Sequence, residues 1–279
     1  MSYIRNERNA FHRSLMEDVL SLEGKEQIPS NADRNSRLSV ELARGMIEGM
    51  GGAIPRQRQA AQRSGRLFEE KVRKFILMTF RKLDHLRPGS WIVSTNAVDH
   101  YEQYSHIKSL KTLIEKHPEI AASLGTDYII TPDIVVSRSP EPDALINLHS
   151  ELVGEDVVRL APLRKRNNES ELMHASISCK WTIRSDRAQN SRTEALNLIR
   201  NRKGRAPHIM VVTAEPLPNR LASIALGTGD IDCVYHVALY ELSSYLQKSS
   251  HLDACELLHQ MIDGKRIKDI SDLPFDLAV

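Results

Sequence analysis

Apolar residues recur along the chain at two periods, and the change of period separates predicted helices from predicted strands. Apolar side chains stand three or four positions apart in residues 7–22 and 66–84, which predicts amphipathic helices with one buried face. Residues 207–213 are almost continuously apolar, and residues 176–180 alternate small and apolar positions up to a lysine, so both predict strands. Strands that alternate with helices favour an α/β fold.

We expect these elements to form one domain over residues 1–279. A chain of 279 residues that is 41% hydrophobic can bury one large core. Residues 1–65 are predicted to be a helical N-terminal elaboration that ends in a loop, residues 55–65. Residues 66–279 are predicted to be the core, in which the polar stretch 164–171 is expected to be a mobile excursion.

Charge is unevenly distributed along this chain. The formal net charge is only +2, which by itself indicates nothing about nucleic acid. Residues 184–205, however, contain seven basic side chains against two acidic ones. Such a basic patch is either a binding surface for nucleic acid or an ordinary solvated surface, and charge alone does not separate the two.

The cysteines and the termini indicate the compartment. Cys179, Cys233 and Cys255 are an odd number at scattered spacings, which fits neither a zinc site nor a disulfide framework. The N-terminus lacks an apolar signal core, and no apolar run is long enough to span a bilayer. We therefore expect a soluble protein of a reducing cytoplasm, with no membrane partner.

Two acidic residues stand where apolar residues are expected. Residues 128–136 predict a strand interrupted by Pro132, and Asp133 follows between apolar neighbours, where a carboxylate is costly unless it is paired or binds a metal. In the helix 66–84, Glu69 falls at the edge of the apolar face, whereas Glu70 lies with basic residues three and four positions later. A metal or active site explains Glu69, and so does the dipole of a helix N-terminus.

Asp133 and Lys180 together resemble the PD-(D/E)xK nuclease pattern, in which an acid and a strand-terminal lysine serve a metal-dependent phosphodiester hydrolase. Magnesium takes carboxylate and phosphate oxygens and aligns the attacking water, while the lysine stabilises charge on the phosphate. The usual acid two positions before the lysine is here Ser178, which carries no charge. Glu194 on the following predicted helix, residues 190–202, is the expected replacement, and Glu69 is a further candidate.

The stretch after the lysine has the side chains for reading DNA bases. Arg184, Asp186 and Arg187 follow within seven residues of Lys180. Arginine fits the two acceptors of guanine in the major groove, and a carboxylate accepts from the cytosine amino group. This pattern favours a DNA enzyme over an RNA-processing or repair nuclease.

These motifs, taken together, are similar to those of the CCGG family of type II restriction endonucleases. The similarity covers nearly the whole chain and includes further segments: 201–205, 212–216, 224–229 and 268–274. It implies a restriction-endonuclease-like core, with a central mixed β-sheet flanked by helices. It also implies that residues 1–65 contact DNA and that residues 66–279 are the nuclease core with dimer and tetramer elements.

The resemblance implies a role for each candidate catalytic residue. Asp133 and Glu194 are the metal-binding carboxylates, for two Mg²⁺ ions per active site, and Lys180 is the catalytic lysine. Ser178 occupies the vacated acidic position, and Glu69 matches an additional family glutamate.

The resemblance also implies which residues recognise DNA. Arg184, Asp186 and Arg187, the inner-site residues, match those that bind the inner CCGG through the major groove. Asp33 and Arg220, the outer-pair residues, match positions associated with the outer base pair. Gln62 matches one that approaches the minor groove.

The implied enzyme is a homotetramer, two dimers back to back, that binds two copies of GCCGGC in double-stranded DNA. It cuts after the first G, leaving 5′ CCGG overhangs with 5′-phosphate ends. Because Arg220 suits guanine, we expect a strict outer G·C pair, with RCCGGY as the alternative. A cognate methyltransferase is expected to act on the same site without forming a stable complex. The alternative function is a catalytically silent, sequence-specific DNA-binding protein on a nuclease scaffold.

Overall fold

The computed structural model describes residues 2–51, 61–116, 130–183, 185–227 and 229–279, with the backbone alone at 61–63 and 185–188. The chain forms two compact units. The first comprises Met1–Leu86, Ile177–Arg192 and Ile209–Val279, and the second comprises Arg87–Ser176 and Thr193–His208.

The strands form a hairpin and a larger sheet. The hairpin pairs β1 (Leu22–Glu23) with β2 (Ile28–Pro29). The larger sheet has six strands in the order β3 (Trp91–Ser94), β4 (Ile134–Arg138), β5 (Leu172–Lys180), β6 (His208–Thr213), β7 (Cys233–His236) and β8 (Ile267–Asp269). β3 pairs with β4 antiparallel, whereas β6, β7 and β8 are parallel. The sheet is therefore mixed, which confirms the predicted fold class.

Helices connect and flank the strands. In chain order they are α1 (Tyr3–Asp18), α2 (Arg37–Gly49), α3 (Ala61–Phe80), α4 (His106–Lys116), α5 (Asp143–Ile146), α6 (Ser185–Asn201), α7 (Pro218–Ala225), α8 (Leu239–Lys248), α9 (Leu252–Asp263) and α10 (Leu273–Asp276). None of the helices in the described ranges is long and apolar enough to cross a membrane.

In the first unit, the apolar faces that the sequence predicts on helices α1 and α3 pack against each other. The ring of Phe11 on α1 lies 5.2 Å from that of Phe75 on α3, centroid to centroid, and both side chains are buried. α3 begins at Ala61, earlier than the predicted residue 66. Gln62, expected in a loop, therefore lies on α3, with its side chain outside the described residues.

In the second unit, polar side chains form hydrogen bonds with strand β5 and with helices α5 and α6. The Gln103 amide donates to the Met173 carbonyl at 2.8 Å and accepts from its N–H at 3.0 Å. The Tyr104 hydroxyl donates to the carbonyl of Leu198 on α6 at 3.0 Å. Arg164, expected in a mobile excursion, is 2% exposed and donates to both carboxylate oxygens of Asp143 at 2.7 Å. The expectation of a mobile excursion is wrong at Arg164, because its guanidinium is buried and held by the Asp143 carboxylate. A buried charge without such a partner would be costly.

Two element boundaries differ from the prediction and affect site residues. β4 begins at Ile134, so Pro132 and Asp133 precede the strand rather than interrupt it. Proline has no N–H to donate, which explains why the ladder starts after it. α6 begins at Ser185, so Asp186 and Arg187 belong to its first turn rather than to a connection before it.

Candidate functional site

The end of β5 presents Ser178 and Lys180 on one face of the sheet. Side chains of a strand alternate between faces, so residues two apart point to the same side. Ile177 and Cys179 are buried, whereas Ser178 and Lys180 are half-buried. The strand therefore places the predicted catalytic lysine and the serine of the vacated acidic position side by side on one face.

The Ser178 hydroxyl is shielded from solvent and has no hydrogen-bond partner within the part of the chain that the structure describes. Buried polar atoms are nearly always hydrogen-bonded, so one that is not calls for an explanation. A ligand with oxygen atoms on this face of β5 would supply the missing partner. The Ser178 hydroxyl is therefore an available donor and acceptor on the strand that ends at Lys180.

Helix α3 contacts the chain directly after Lys180. The Phe68 ring meets the Trp181 ring edge-on, with centroids 5.1 Å apart. Glu69 follows Phe68 and is half-buried, whereas Glu70 is exposed. The predicted register is confirmed: Glu69 and not Glu70 lies at the edge of the buried face. Its catalytic role stays a prediction.

Asp133 and Glu194 both belong to the second unit. Asp133 is half-buried between buried Pro132 and the buried strand β4, and Glu194 is half-buried on α6. Within the described ranges, no three His, Cys, Asp or Glu side chains form a group that could hold a metal. Mg²⁺ commonly takes only one or two carboxylates and completes its shell with water and phosphate. The chemistry of these two carboxylates therefore fits magnesium.

Three predicted DNA-binding residues cannot be placed by their side chains. Arg184 lies outside the described residues, and Asp186 and Arg187 are described by backbone alone on α6. They stay predictions, as does Gln62.

The outer-pair residues, 187 positions apart in the chain, are in contact. Arg220, on α7, forms a hydrogen-bonded ion pair with the Asp33 carboxylate through Nη2. The side chains are 28% and 26% exposed, so the pair is accessible to a ligand. Asp33 is itself held: its N–H donates to the Ser39 hydroxyl at 2.8 Å, and its Oδ1 accepts from the Asn35 N–H at 3.0 Å. The fold thus presents one oriented guanidinium and one oriented carboxylate together.

A third charged residue, Glu215, lies beside the ion pair of Asp33 and Arg220. The sequence did not predict it as a site residue. Its side chain is fully buried, and Oε2 lies 3.7 Å from Arg220 Nη1. It also accepts the Ile183 N–H at 2.8 Å and the Leu217 N–H at 3.2 Å. Burial raises the pKa of Glu215 to about 7, although both backbone hydrogen bonds and Arg220 lower it.

A sequence signal for Glu215 exists. It stands two positions after the buried strand β6, and an acid in so apolar a setting requires compensation. The local pattern of residues 215–220 predicts only a rigid loop that places Arg220, because the partners of Glu215 are distant in sequence.

The sequence of this chain is similar to those of known proteins. It matches the family model described as NgoMIV restriction enzyme over residues 11–279. It is 50% identical over 279 residues to the type II restriction enzyme NgoMIV of Neisseria gonorrhoeae, covering 98% of each chain. The structure of Bse634I restriction endonuclease aligns with 80% of this chain and 81% of that one, at 14% identity and a TM-score of 0.35. The chain belongs to the NgoMIV restriction enzyme family and is a homologue of a type II restriction enzyme, a site-specific deoxyribonuclease.

Proposed function

We propose that this protein is a Mg²⁺-dependent type II restriction endonuclease that cuts double-stranded DNA at GCCGGC after the first G. The products carry 5′-phosphates and four-base 5′ CCGG overhangs. The observation that carries the proposal is the face of β5 on which Lys180 stands beside the Ser178 hydroxyl, which has no hydrogen-bond partner among the described residues. Family membership supplies the reaction class.

In this proposal, Asp133 and Glu194 hold the metal, with two Mg²⁺ ions per active site. Bound magnesium supplies Lewis-acid activation of the scissile phosphate and of water. Lys180 places its ammonium against the phosphate and stabilises the charge that develops there. The Ser178 hydroxyl donates to an oxygen on the same face, and Glu69 adds a carboxylate from α3.

Recognition is divided between two sets of residues. Arg184, Asp186 and Arg187 bind the inner CCGG in the major groove, and Gln62 approaches the minor groove. Arg220 binds N7 and O6 of the outer guanine, while Asp33 orients its guanidinium. Adenine offers a donor in place of O6, so an arginine fixed in this way favours a strict G·C pair over RCCGGY.

We also propose a homotetramer, a dimer of dimers that engages two sites. Exposed apolar side chains recur along residues 145–160 and support self-association: Leu145, Leu148, Leu152, Val157, Val158 and Leu160. Arg164 holds the same segment through Asp143 and the carbonyls of Gly154 and Val157, so the apolar surface is presented on an ordered backbone. A second copy of the chain is the expected occupant. In the bacterial cytoplasm, a methyltransferase would modify the same site without stable association.

Incubation of plasmid DNA with and without Mg²⁺, followed by run-off sequencing of the cut ends, tests the reaction and the site together. We expect double-strand cuts only with Mg²⁺ and only within GCCGGC. Specific binding without cleavage in Mg²⁺ would favour the silent DNA-binding alternative. Cleavage of ACCGGT at a comparable rate would refute the strict outer pair.

The catalytic assignment has a matched pair of control variants. We expect Lys180→Ala to lower the cleavage rate by roughly 10²-fold or more while specific binding survives, since the lysine acts on the transition state. Glu69→Gln should slow cleavage, whereas Glu70→Gln, one residue along the same helix and exposed, should not. Single-turnover cleavage at saturating enzyme measures both, and the reverse order would refute the role of Glu69.

The assembly is tested separately. A plasmid with two sites should be cut faster than one with a single site, and sedimentation at the same concentration should show tetramers. Dimers that cut a one-site plasmid at full speed would refute the tetramer without affecting the proposed recognition.

A further inference from the structure

We infer that Glu215 is a positioning residue that couples recognition of the inner CCGG to recognition of the outer base pair. The inference deepens the proposed function and rests on it, because it takes Arg184–Arg187 and Arg220 as the DNA-binding residues.

The carboxylate of Glu215 holds the backbone on both sides. One bond goes to the N–H of Ile183, at 2.8 Å from Oε2, and Ile183 directly precedes Arg184 in the sequence. The other bond goes to the N–H of Leu217, at 3.2 Å from Oε1. Leu217 is the N-cap of α7, the helix that carries Arg220. One side chain thus holds Ile183, the residue before the inner-site residues, and the N-cap residue of the helix that carries Arg220.

The same carboxylate also acts on the outer-pair side chain. Oε2, which accepts from Ile183, lies 3.7 Å from Arg220 Nη1. Arg220 therefore stands between a buried carboxylate and the half-exposed carboxylate of Asp33. A charge on each side of the guanidinium restricts its orientation, and orientation is what bidentate binding of a guanine requires.

Neighbouring bonds keep Glu215 itself in place. Its N–H donates to the Thr213 hydroxyl at 3.2 Å, and its carbonyl bonds to His236 Nε2 at 3.1 Å. The fully buried Asn31 donates to the Ala214 carbonyl at 2.9 Å, which ties the segment carrying Asp33 to the same strand end. Asn31, Ile183 and His236, from three segments that are distant in sequence, therefore all contact residues 214–215.

Substitution by glutamine breaks this arrangement selectively. Glutamine keeps one acceptor oxygen and replaces the other with an NH₂ donor, so it can accept from the N–H of Ile183 or of Leu217 but not from both. It also removes the negative charge facing Arg220. A coupling role predicts that Glu215→Gln relaxes the inner and the outer positions together.

The test measures equilibrium binding without metal at pH 8, above the Glu215 pKa of about 7, so that the wild-type carboxylate is ionised. The four duplexes are GCCGGC, ACCGGT with the outer pair changed, GTCGAC with the inner sequence changed, and a random sequence. We expect Glu215→Gln to lower the preference for GCCGGC over both altered sites by roughly 10-fold or more, while random-sequence affinity is unchanged. Glu215→Asp, which keeps both acceptors on a shorter side chain, should lower both preferences less. It also provides a second variant if the glutamine protein folds poorly.

The matched control is Asp269→Asn. Asp269 is also a fully buried carboxylate of the first unit that binds backbone N–H groups and an arginine, but its partners include no proposed DNA-binding residue. The Asp269→Asn variant should be less stable than the wild type, but its preferences for the inner CCGG and for the outer G·C pair should not change. If Glu215→Gln behaves like this control, or relaxes the outer position alone, the coupling inference is wrong.

Arg220→Ala separates failure of the inference from failure of the proposed function. If Arg220→Ala leaves the outer preference unchanged, the outer-pair assignment itself fails and the inference falls with it. If Arg220→Ala removes that preference, adding Glu215→Gln should reduce only the inner preference further. An unchanged inner preference in the double variant would overturn the coupling and leave the assignment of Arg220 intact.

Discussion

Two fully buried carboxylates of the first unit, Asp269 and Glu215, perform similar local tasks with different partners. Asp269 accepts from Arg8 Nε at 2.8 Å and Nη2 at 2.7 Å, and from the N–H groups of Leu239 and Ser271. Arg8 also donates to both oxygens of Glu241, at 2.7 and 2.6 Å. This Asp269 network is closed, since the arginine is buried and its charge is met by two carboxylates.

The buried charge of Glu215 is compensated less completely than that of Asp269. Its arginine, Arg220, is 3.7 Å away and half-exposed, and it is shared with the half-exposed Asp33. The pKa values report the difference. Hydrogen bonds to Glu241 and Asp269 raise the pKa of Arg8 despite its burial, whereas burial raises the pKa of Glu215 to about 7 despite its hydrogen bonds.

The ion pair of Arg8 and Asp269 is therefore structural, whereas that of Arg220 and Asp33 is accessible to a ligand. Arg8 donates from all three of its nitrogens inside the fold, so it stabilises the fold and is not presented to a ligand. When an arginine is oriented by carboxylates but remains accessible, its donors are available to a base edge. The three predictions below test this difference, in order of decreasing effect on stability.

Arg8→Ala should produce the largest loss of stability. It leaves Asp269 buried without its cation, and breaking a buried pair in this way costs about 3–5 kcal/mol of the free energy of unfolding. Urea unfolding at neutral pH measures the loss, and the preference for GCCGGC should not change in the folded fraction. A change in sequence preference would contradict the view that this network is only structural.

The pH dependence of stability should differ between the wild type and Glu215→Gln. The folded pKa of Glu215, about 7, lies above its ordinary value of 4.5, so the folded protein holds a proton that the unfolded chain has released between these pH values. The contribution to stability is therefore complete below pH 4.5 and is lost as pH rises to about 7, a change on the order of 3 kcal/mol.

Urea unfolding of both proteins at pH 5 and pH 8 measures this effect. The wild type should lose more stability than Glu215→Gln between the two pH values, because other titrating groups affect both proteins alike. The charged groups that act on Glu215 are Arg220, which lowers its pKa, and Asp33, which raises it. Parallel pH profiles would show that Glu215 is charge-compensated in the fold, as Asp269 is.

Asp33→Asn should have the smallest effect on stability. A half-exposed ion pair contributes only about 0–1 kcal/mol, so the unfolding midpoint should move little. The preference for an outer G·C pair should nevertheless fall, because Arg220 loses the partner that orients it. A stability loss as large as that of Arg8→Ala would mean that the two networks do not differ in kind.

The sequence determined the parts of this protein that depend on local periodicity. Helical spacing on α3 distinguished Glu69 from Glu70, and the alternation ending at Lys180 located the end of β5. These patterns succeed because each residue's exposure follows from the period of its own element. The motif around Asp133 and Lys180 indicated the family in the same way, from residues close together in the sequence.

Only the tertiary structure decided which distant residues meet. The contact between Asp33 and Arg220 joins positions 187 apart, and the resemblance alone had associated them. The buried carboxylate of Glu215 depends on Ile183, 32 residues away, and no local pattern specifies that partner. Burial of a charge depends on the packing of several segments at once, so the sequence can show an acid beside an apolar strand, whereas the fold alone determines what compensates it.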